Sequence, residues 1–260
     1  MGAMPTRRHG QVIERRRPAA APWMDAAADL RKRCADLRNG GVCAFPRSGP
    51  FSSAPSAATN AVEAALQGDI RKVSVVMADL RGFTTFCERV PLGLMSRVLN
   101  EYLTAMVEVI LDHHGRIQDF VGDGILGVFG APGLDPDHVW HAVLSALEMQ
   151  VAIRRLSDRW EPEVGTSFAL GVAVHTGEVF AGAVGSPRQM KYAVVGDPVN
   201  TVARLEEVNR NLGTEIVMSG DALAQVRARV EVQPRGVFVI RGRSHAVEVF
   251  EVLGIRHASR

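Results

Sequence analysis

The sequence predicts an α+β fold, with helices on one face of a largely antiparallel sheet. Three observations carry that prediction. An apolar run over 73–79 (VSVVMAD) reads as a buried strand that ends in an acid. Leu94, Val98, Tyr102, Met106 and Ile110 recur near one face of a segment over 92–114, which is the pattern of a long amphipathic helix. Residues 116–130 read RIQDFVGDGILGVFG, two apolar arms around Gly-Asp-Gly, the pattern of a β-hairpin. Strand, helix and hairpin followed by a further helix and strand make a layered α+β arrangement.

The remaining elements follow in order. Gly115 is expected to end the first long helix, and a second helix covers 137–156. Strands over 168–174 and 179–184 flank a His-Thr-Gly-Glu turn, and another strand covers 191–195. A helix over 197–208 is entered through Gly-Asp-Pro, with Pro198 suited to its first turn. Strands over 215–218, 237–241 and 246–253 finish the fold.

Composition sets the class. The chain has 260 residues, 47% hydrophobic and 22% charged, enough to bury a core. Its composition changes near residue 60. Residues 1–59 form a basic extension rich in Pro, Ala and Ser, with a helix expected over 24–38, and residues 60–260 form the globular domain. The first 50 residues carry ten Lys or Arg against four Asp or Glu, whereas the whole chain is only +2. Without interleaved aromatics this basic end is not a dedicated nucleic-acid surface, and no nucleic-acid partner is expected. Cys34, Cys43 and Cys87 show no paired or metal-type spacing, which fits a reduced, cytoplasmic protein. No apolar run reaches the length of a membrane span.

Gly122, Gly124 and Gly127 match the dinucleotide-binding pattern G-x-G-x-x-G, but the pattern needs a helix opening on the glycines. A short β-type run follows instead, closed by Gly130 and Pro132. Asp123 is then the tip of a hairpin. By itself it is an ordinary turn residue. Its interest comes from Asp79, at the end of the first strand, which an adjacent hairpin would bring close. Two carboxylates and a backbone carbonyl such as that of Leu80 are hard oxygen ligands for Mg²⁺ or Mn²⁺. A pair of such ions serves phosphoryl chemistry. Asn200 and Arg204 lie four apart and share a helix face, where an amide and a guanidinium can hold a sugar oxygen and a charged phosphate. Arg241 and Arg243 lie between two late strands, where cations could bind terminal phosphates or simply be solvated. His113 and His114 read as capping or surface residues. The lack of clustered His and Asp ligands argues against a metal-dependent phosphodiesterase.

Taken together, ADLRGFT, FVGDGILGVFG, GVAVHTGEVFAGAVG, YAVVGDPVNTVARLE and IRGRSHAVEVFEV resemble the catalytic domain of the class III adenylate/guanylate cyclases, over about residues 71–253. The resemblance implies a ferredoxin-like βαββαβ core. It implies two Mg²⁺ or Mn²⁺ per site on Asp79, Leu80 and Asp123, with Asn200 orienting the ribose and Arg204 serving the transition state. Arg243, Phe83 and Thr84 would bind the substrate. It further implies a head-to-tail homodimer that turns a nucleoside triphosphate into a 3′,5′-cyclic nucleotide and pyrophosphate. A separate regulator acting through residues 1–60 is compatible with such an enzyme.

The sequence departs from the adenine-reading pattern of that family at two positions. Asp119 stands where adenylate cyclases carry lysine, and Ala193 stands where they carry Asp or Thr. An ionised Asp119 only accepts hydrogen bonds. Guanine offers it two donors on one edge and uracil or cytosine one, whereas adenine N1 would face it unpaired. GTP or a pyrimidine nucleotide is therefore favoured. The alternatives are that Asp119 points to solvent, that Gln118 reads the base or that ATP is used loosely, and a catalytically silent nucleotide-binding regulatory module is a further one.

Overall fold

The computed structural model describes residues 68–186, 188–240 and 246–256. The N-terminal extension (1–59), its expected helix over 24–38, Arg241 and Arg243 lie outside the described residues. The described chain runs β1 (Asp69–Arg81), α1 (Phe83–Cys87), α2 (Leu92–Asp112), β2 (Arg116–Val121), β3 (Gly124–Phe129) and α3 (His138–Val164). It continues through β4 (Ala169–Ser186), β5 (Gln189–Val195), α4 (Asp197–Leu212), β6 (Ile216–Ser219), α5 (Gly220–Val226), β7 (Val230–Phe238) and β8 (Val247–Ile255). The strands form one eight-stranded sheet in the order β2-β3-β1-β4-β6-β8-β7, with β5 paired to β4. All pairs are antiparallel except β4 with β6.

Strand alternation divides the core in two. Val76, Ala78 and Leu80 of β1 face α2, α3 and α5, while Val73 and Val75 face the other side. The stripe expected on α2 holds for Val98, Tyr102, Met106 and Ile110, which are buried, while Leu94 is partly buried against the same core. Each apolar side chain so buried contributes about 1.5–3 kcal/mol. Helices on one face describes α2, α3 and α5. The fourth helix, α4, covers the opposite face through Val202 and Leu205, which pack with Val73, Val75, Ala173 and Val217.

Other expectations are corrected. The His-Thr-Gly-Glu segment is not a turn. It lies inside β4, where thirteen consecutive residues pair with β1 from Ala169↔Arg81 to Ala181↔Asp69. Gly177 serves close approach, since a Cβ there would lie 2.6 Å from Pro198 Cγ at the start of α4. Thr176 Oγ1 donates to the Val73 carbonyl at 2.8 Å, and His175 Nδ1 lies 2.8 Å from Ser219 Oγ. Gly115 does not supply the left-handed residue after α2; His114 does, at φ 64°. Gly115 instead makes room for Phe129, whose ring would lie 2.6 Å from a Cβ at that position. His113, read as a capping or surface residue, is the C-cap of α2, but it is buried rather than exposed, and its Nε2 lies 2.8 Å from Glu148 Oε2.

Helix α3 runs well past residue 156 because Trp160 is buried and donates to Glu101 Oε2 at 2.8 Å. Strand β7 starts earlier than expected. Its Pro234 and Gly236 weaken a sequence reading, but an edge strand with bulges tolerates both. Helices α1 and α5 were too short to register as periodic patterns.

Gly177→Ala should lower the unfolding free energy by about 1–3 kcal/mol, because the added methyl meets a proline ring inside a packed layer. Gly133→Ala, with open space around it, should change stability by no more than about 0.5 kcal/mol. Urea denaturation of both variants checks this; equal midpoints would contradict the close approach of β4 and α4.

Candidate functional site

Asp79 lies two residues before the end of β1, opposite Gly171 of β4. Its odd position places it on the α4 side of the sheet, and its side chain is 19% exposed. Asp123 follows Gly122 in the turn between β2 and β3; Gly122 has φ 65° and Val121 pairs with Gly124. Gly124 lets the hairpin lie against β1, since a Cβ there would be 2.8 Å from Met77 Cε and 3.5 Å from the Ala78 carbonyl. The hairpin therefore brings Asp123 to Asp79. Burial raises the Asp123 carboxyl above the ordinary carboxylate range, and the charge of Asp79 raises it further. Hydrogen bonds with its own backbone amide and with that of Leu80 oppose the shift. The Leu80 backbone is thus at the site, while its side chain is buried in the core.

Three charged residues complete this pocket, and the sequence reading missed them. Arg210 Nη2 lies 2.6 Å from Asp79 Oδ2 and 3.1 Å from Glu206 Oε2. Glu206 is buried, and its carboxyl is raised by burial and then by the Asp79 charge. Arg81 donates to the Thr214 carbonyl, and burial lowers its guanidinium. Gly171 opens the space between them: a Cβ there would meet Glu206 Oε1 at 2.7 Å and Arg81 Nη2 at 2.9 Å. Signals for all three were present. Glu206 and Arg210 stand four apart on a helix, and Arg81 shares a strand face with Asp79.

The two acids and the Leu80 backbone suit a hard divalent cation. The pocket already draws a cation, the Arg210 guanidinium, onto Asp79, which is the behaviour of a site with negative charge to spare. Among the described residues no cluster of three His, Cys, Asp or Glu is arranged to hold a metal ion.

Asn200 and Arg204 are exposed on α4, and Arg204 Nη1 donates to Glu207 Oε1 at 2.6 Å. They do not join the aspartates of their own chain. Arg210, which does, lies ten residues beyond Asn200, roughly 15 Å along the helix. Phe83 is buried against Phe86, with ring centroids 5.9 Å apart; Thr84 is exposed.

A second cluster surrounds Ala193, which is buried on β5 opposite Gly182. Asp119 Oδ2 accepts from Lys191 Nζ at 2.9 Å, with the side chains 52% and 61% exposed. That hydrogen bond holds the Asp119 carboxyl below its ordinary value. Gln118 is the extra residue of a bulge in β2, and its Oε1 accepts from the Val194 amide at 3.2 Å. Arg116 stacks over Tyr192 at 4.9 Å from the ring centroid.

Comparison with known proteins bears on this geometry. Adenylate cyclase 1 of Rhizobium meliloti (strain 1021) is 32% identical over 189 residues, which are 72% of this chain and 28% of that protein. Adenylate cyclase of Anabaena cylindrica is 25% identical over 189 residues, 70% of this chain and 37% of that protein. The chain thus spans well under half the length of these relatives. Among solved structures, the guanylyl cyclase Cya2 matches with a TM-score of 0.68 at 35% identity, covering 73% of this chain and 95% of that one. The adenylyl cyclase CyaB from P. aeruginosa matches with a TM-score of 0.68 at 26% identity, covering 75% and 98%. The family model of the adenylate and guanylate cyclase catalytic domain matches residues 67–254. That stretch contains β1 to β8 almost entire, with both aspartates and the exposed face of α4, and by it the chain belongs to the adenylate and guanylate cyclase catalytic domain family, the class III nucleotidyl cyclases.

Proposed function

We propose that the protein is a nucleotidyl cyclase acting as a head-to-tail homodimer with two composite sites. The observation that carries this reading is the separation within one chain. Asp79 and Asp123 share a half-buried pocket, while Asn200 and Arg204 stand exposed elsewhere on α4. Each half-set lacks what the other holds, so a second copy completes both.

Asp79, Asp123 and the Leu80 carbonyl would hold two Mg²⁺ or Mn²⁺ ions. When bound, these supply Lewis acidity at the ribose 3′-hydroxyl and neutralise charge on the departing phosphates. Asn200 of the other copy orients the ribose by an amide hydrogen bond. Arg204 of that copy sits on the α-phosphate, where negative charge builds as the 3′-oxygen attacks phosphorus. The bond from phosphorus to the bridging oxygen breaks, pyrophosphate leaves, and the hydroxyl proton passes to solvent. Thr84, the Phe83 backbone and Arg243 bind the phosphates. Arg204 reaches this role by leaving Glu207, an exposed pair of little net strength.

The base is read beside Ala193. The carboxylate of Asp119 accepts from the donors of guanine or of a pyrimidine, and the small Ala193 leaves room. A specific contact supports ATP as the second reading. Lys191 adds a donor next to the Asp119 acceptor, and a donor–acceptor pair also fits adenine N1 with its 6-amino group. The Rhizobium meliloti and Anabaena cylindrica relatives are named adenylate cyclases, and Cya2 is described as a guanylyl cyclase.

Purified protein with Mn²⁺ and ATP, GTP, CTP or UTP, each alone, should release one dominant cyclic nucleotide, identified by mass. Asp123→Ala should lower that rate by about 10²–10³-fold. No product from any of the four would favour a silent regulatory module. Arg204→Ala should reduce kcat by a similar factor, about 10²–10³, with little change in KM. Equal mixing of Asp123→Ala with Arg204→Ala should restore roughly a quarter of wild-type activity, because half the dimers then carry one intact site. Mixing without recovery would rule out composite sites. Asp119→Ala should shift the preference among bases by roughly tenfold, and an unchanged preference would remove Asp119 from base recognition.

A further inference from the structure

We propose that Arg210 is a built-in counter-ion of the metal site, seated on Asp79 in the metal-free protein and displaced onto Glu206 when a divalent cation binds. This rests on the metal reading of Asp79 and Asp123 given above. Arg210 stands in the last turn of α4, six residues beyond Arg204, and has no part in the chemistry assigned to that helix.

The geometry supports displacement rather than a permanent pair. One nitrogen, Arg210 Nη2, serves both acids, at 2.6 Å from Asp79 Oδ2 and 3.1 Å from Glu206 Oε2. A guanidinium at that distance takes one of the two Asp79 carboxylate oxygens, and a divalent ion held by the same carboxylate would be repelled by it. One of them must move. Arg210 is free to do so, because its side chain is 56% exposed while Asp79 is 19% exposed.

Glu206 gives it somewhere to go. That carboxylate is buried, four residues back on the same helix, and its Oε1 has no hydrogen-bond partner within the described residues. An arginine that slides from Asp79 fully onto Glu206 satisfies an atom that is otherwise unpaired, so leaving Asp79 does not strand a cation. Metal binding and the Arg210–Asp79 pair are then mutually exclusive, and the pair raises the metal concentration that the site requires.

The test is Mn²⁺ binding to the nucleotide-free protein, by titration calorimetry and by loss of the free Mn²⁺ electron paramagnetic resonance signal. Arg210→Gln should bind Mn²⁺ roughly three- to tenfold tighter than wild type. Its Tm without metal should fall below that of wild type, and the gap should close at saturating Mn²⁺. Glu206→Gln, which removes the second seat, should act in the opposite direction and weaken Mn²⁺ binding. Arg210→Gln with unchanged or weaker binding overturns the proposal. Asp79→Asn and Asp123→Asn separate the two levels. If they abolish Mn²⁺ binding while Arg210→Gln leaves it unchanged, only the counter-ion role fails. If they leave Mn²⁺ binding intact, the metal site itself is wrong and the counter-ion role falls with it.

Discussion

The register of β1 against β4 is the constraint on which the rest depends. Thirteen residues of each strand pair without a break, from Asp69↔Ala181 to Arg81↔Ala169. A shift of one residue would turn every β1 side chain to the opposite face. Val76, Ala78 and Leu80 would then leave the layer of α2 and α3, and Asp79 would be driven into it. An unpaired carboxylate in an apolar layer costs several kcal/mol or is forced neutral. The apolar pattern of β1 and the burial of both its faces therefore hold Asp79 on the α4 side.

That placement explains the charge arrangement around it. The α4 face carries Glu206 and Arg210, the β1 end carries Asp79 and Arg81, and the β2–β3 turn brings Asp123. Three carboxyls and two guanidiniums then share partly buried ground, where charges interact more strongly than in water. Glycines make the crowding feasible. Gly124 admits the hairpin to β1, Gly171 leaves space for Glu206 and Arg81, and Gly177 lets Pro198 begin α4 against the sheet. The helix that is so docked leaves Asn200 and Arg204 exposed.

The legible parts of the sequence were those with strong local patterns. The stripe of α2, the Gly-Asp-Gly hairpin and the Gly-Asp-Pro entry to α4 all stand where the periodicity and turn residues put them. The His-Thr-Gly-Glu segment was misread because a glycine in a strand has the same local signature as a turn. Only the partner strand β1 and the approaching Pro198 distinguish the two. The end of α3 was misread because Trp160 is held by Phe168 and Glu101, contacts made across the fold. Helix α4 went to the opposite face for a similar reason. An amphipathic stripe tells that a helix has a buried side, but not which face of the sheet receives it.

The sequence by itself determined the α+β class and the family, and it pointed to Asp79, Asp123, Asn200 and Arg204 as candidates, because motifs spaced along the chain carry that information without regard to folding. The tertiary structure decided what each of these residues touches. Asp119 meets Lys191 from 72 residues away, and Asp79 meets Arg210 from 131 residues away. Separations of that size leave no local trace in a sequence. They arise only when strand register and helix docking bring distant charges within a few ångströms, and it is there that the electrostatics of the site are set.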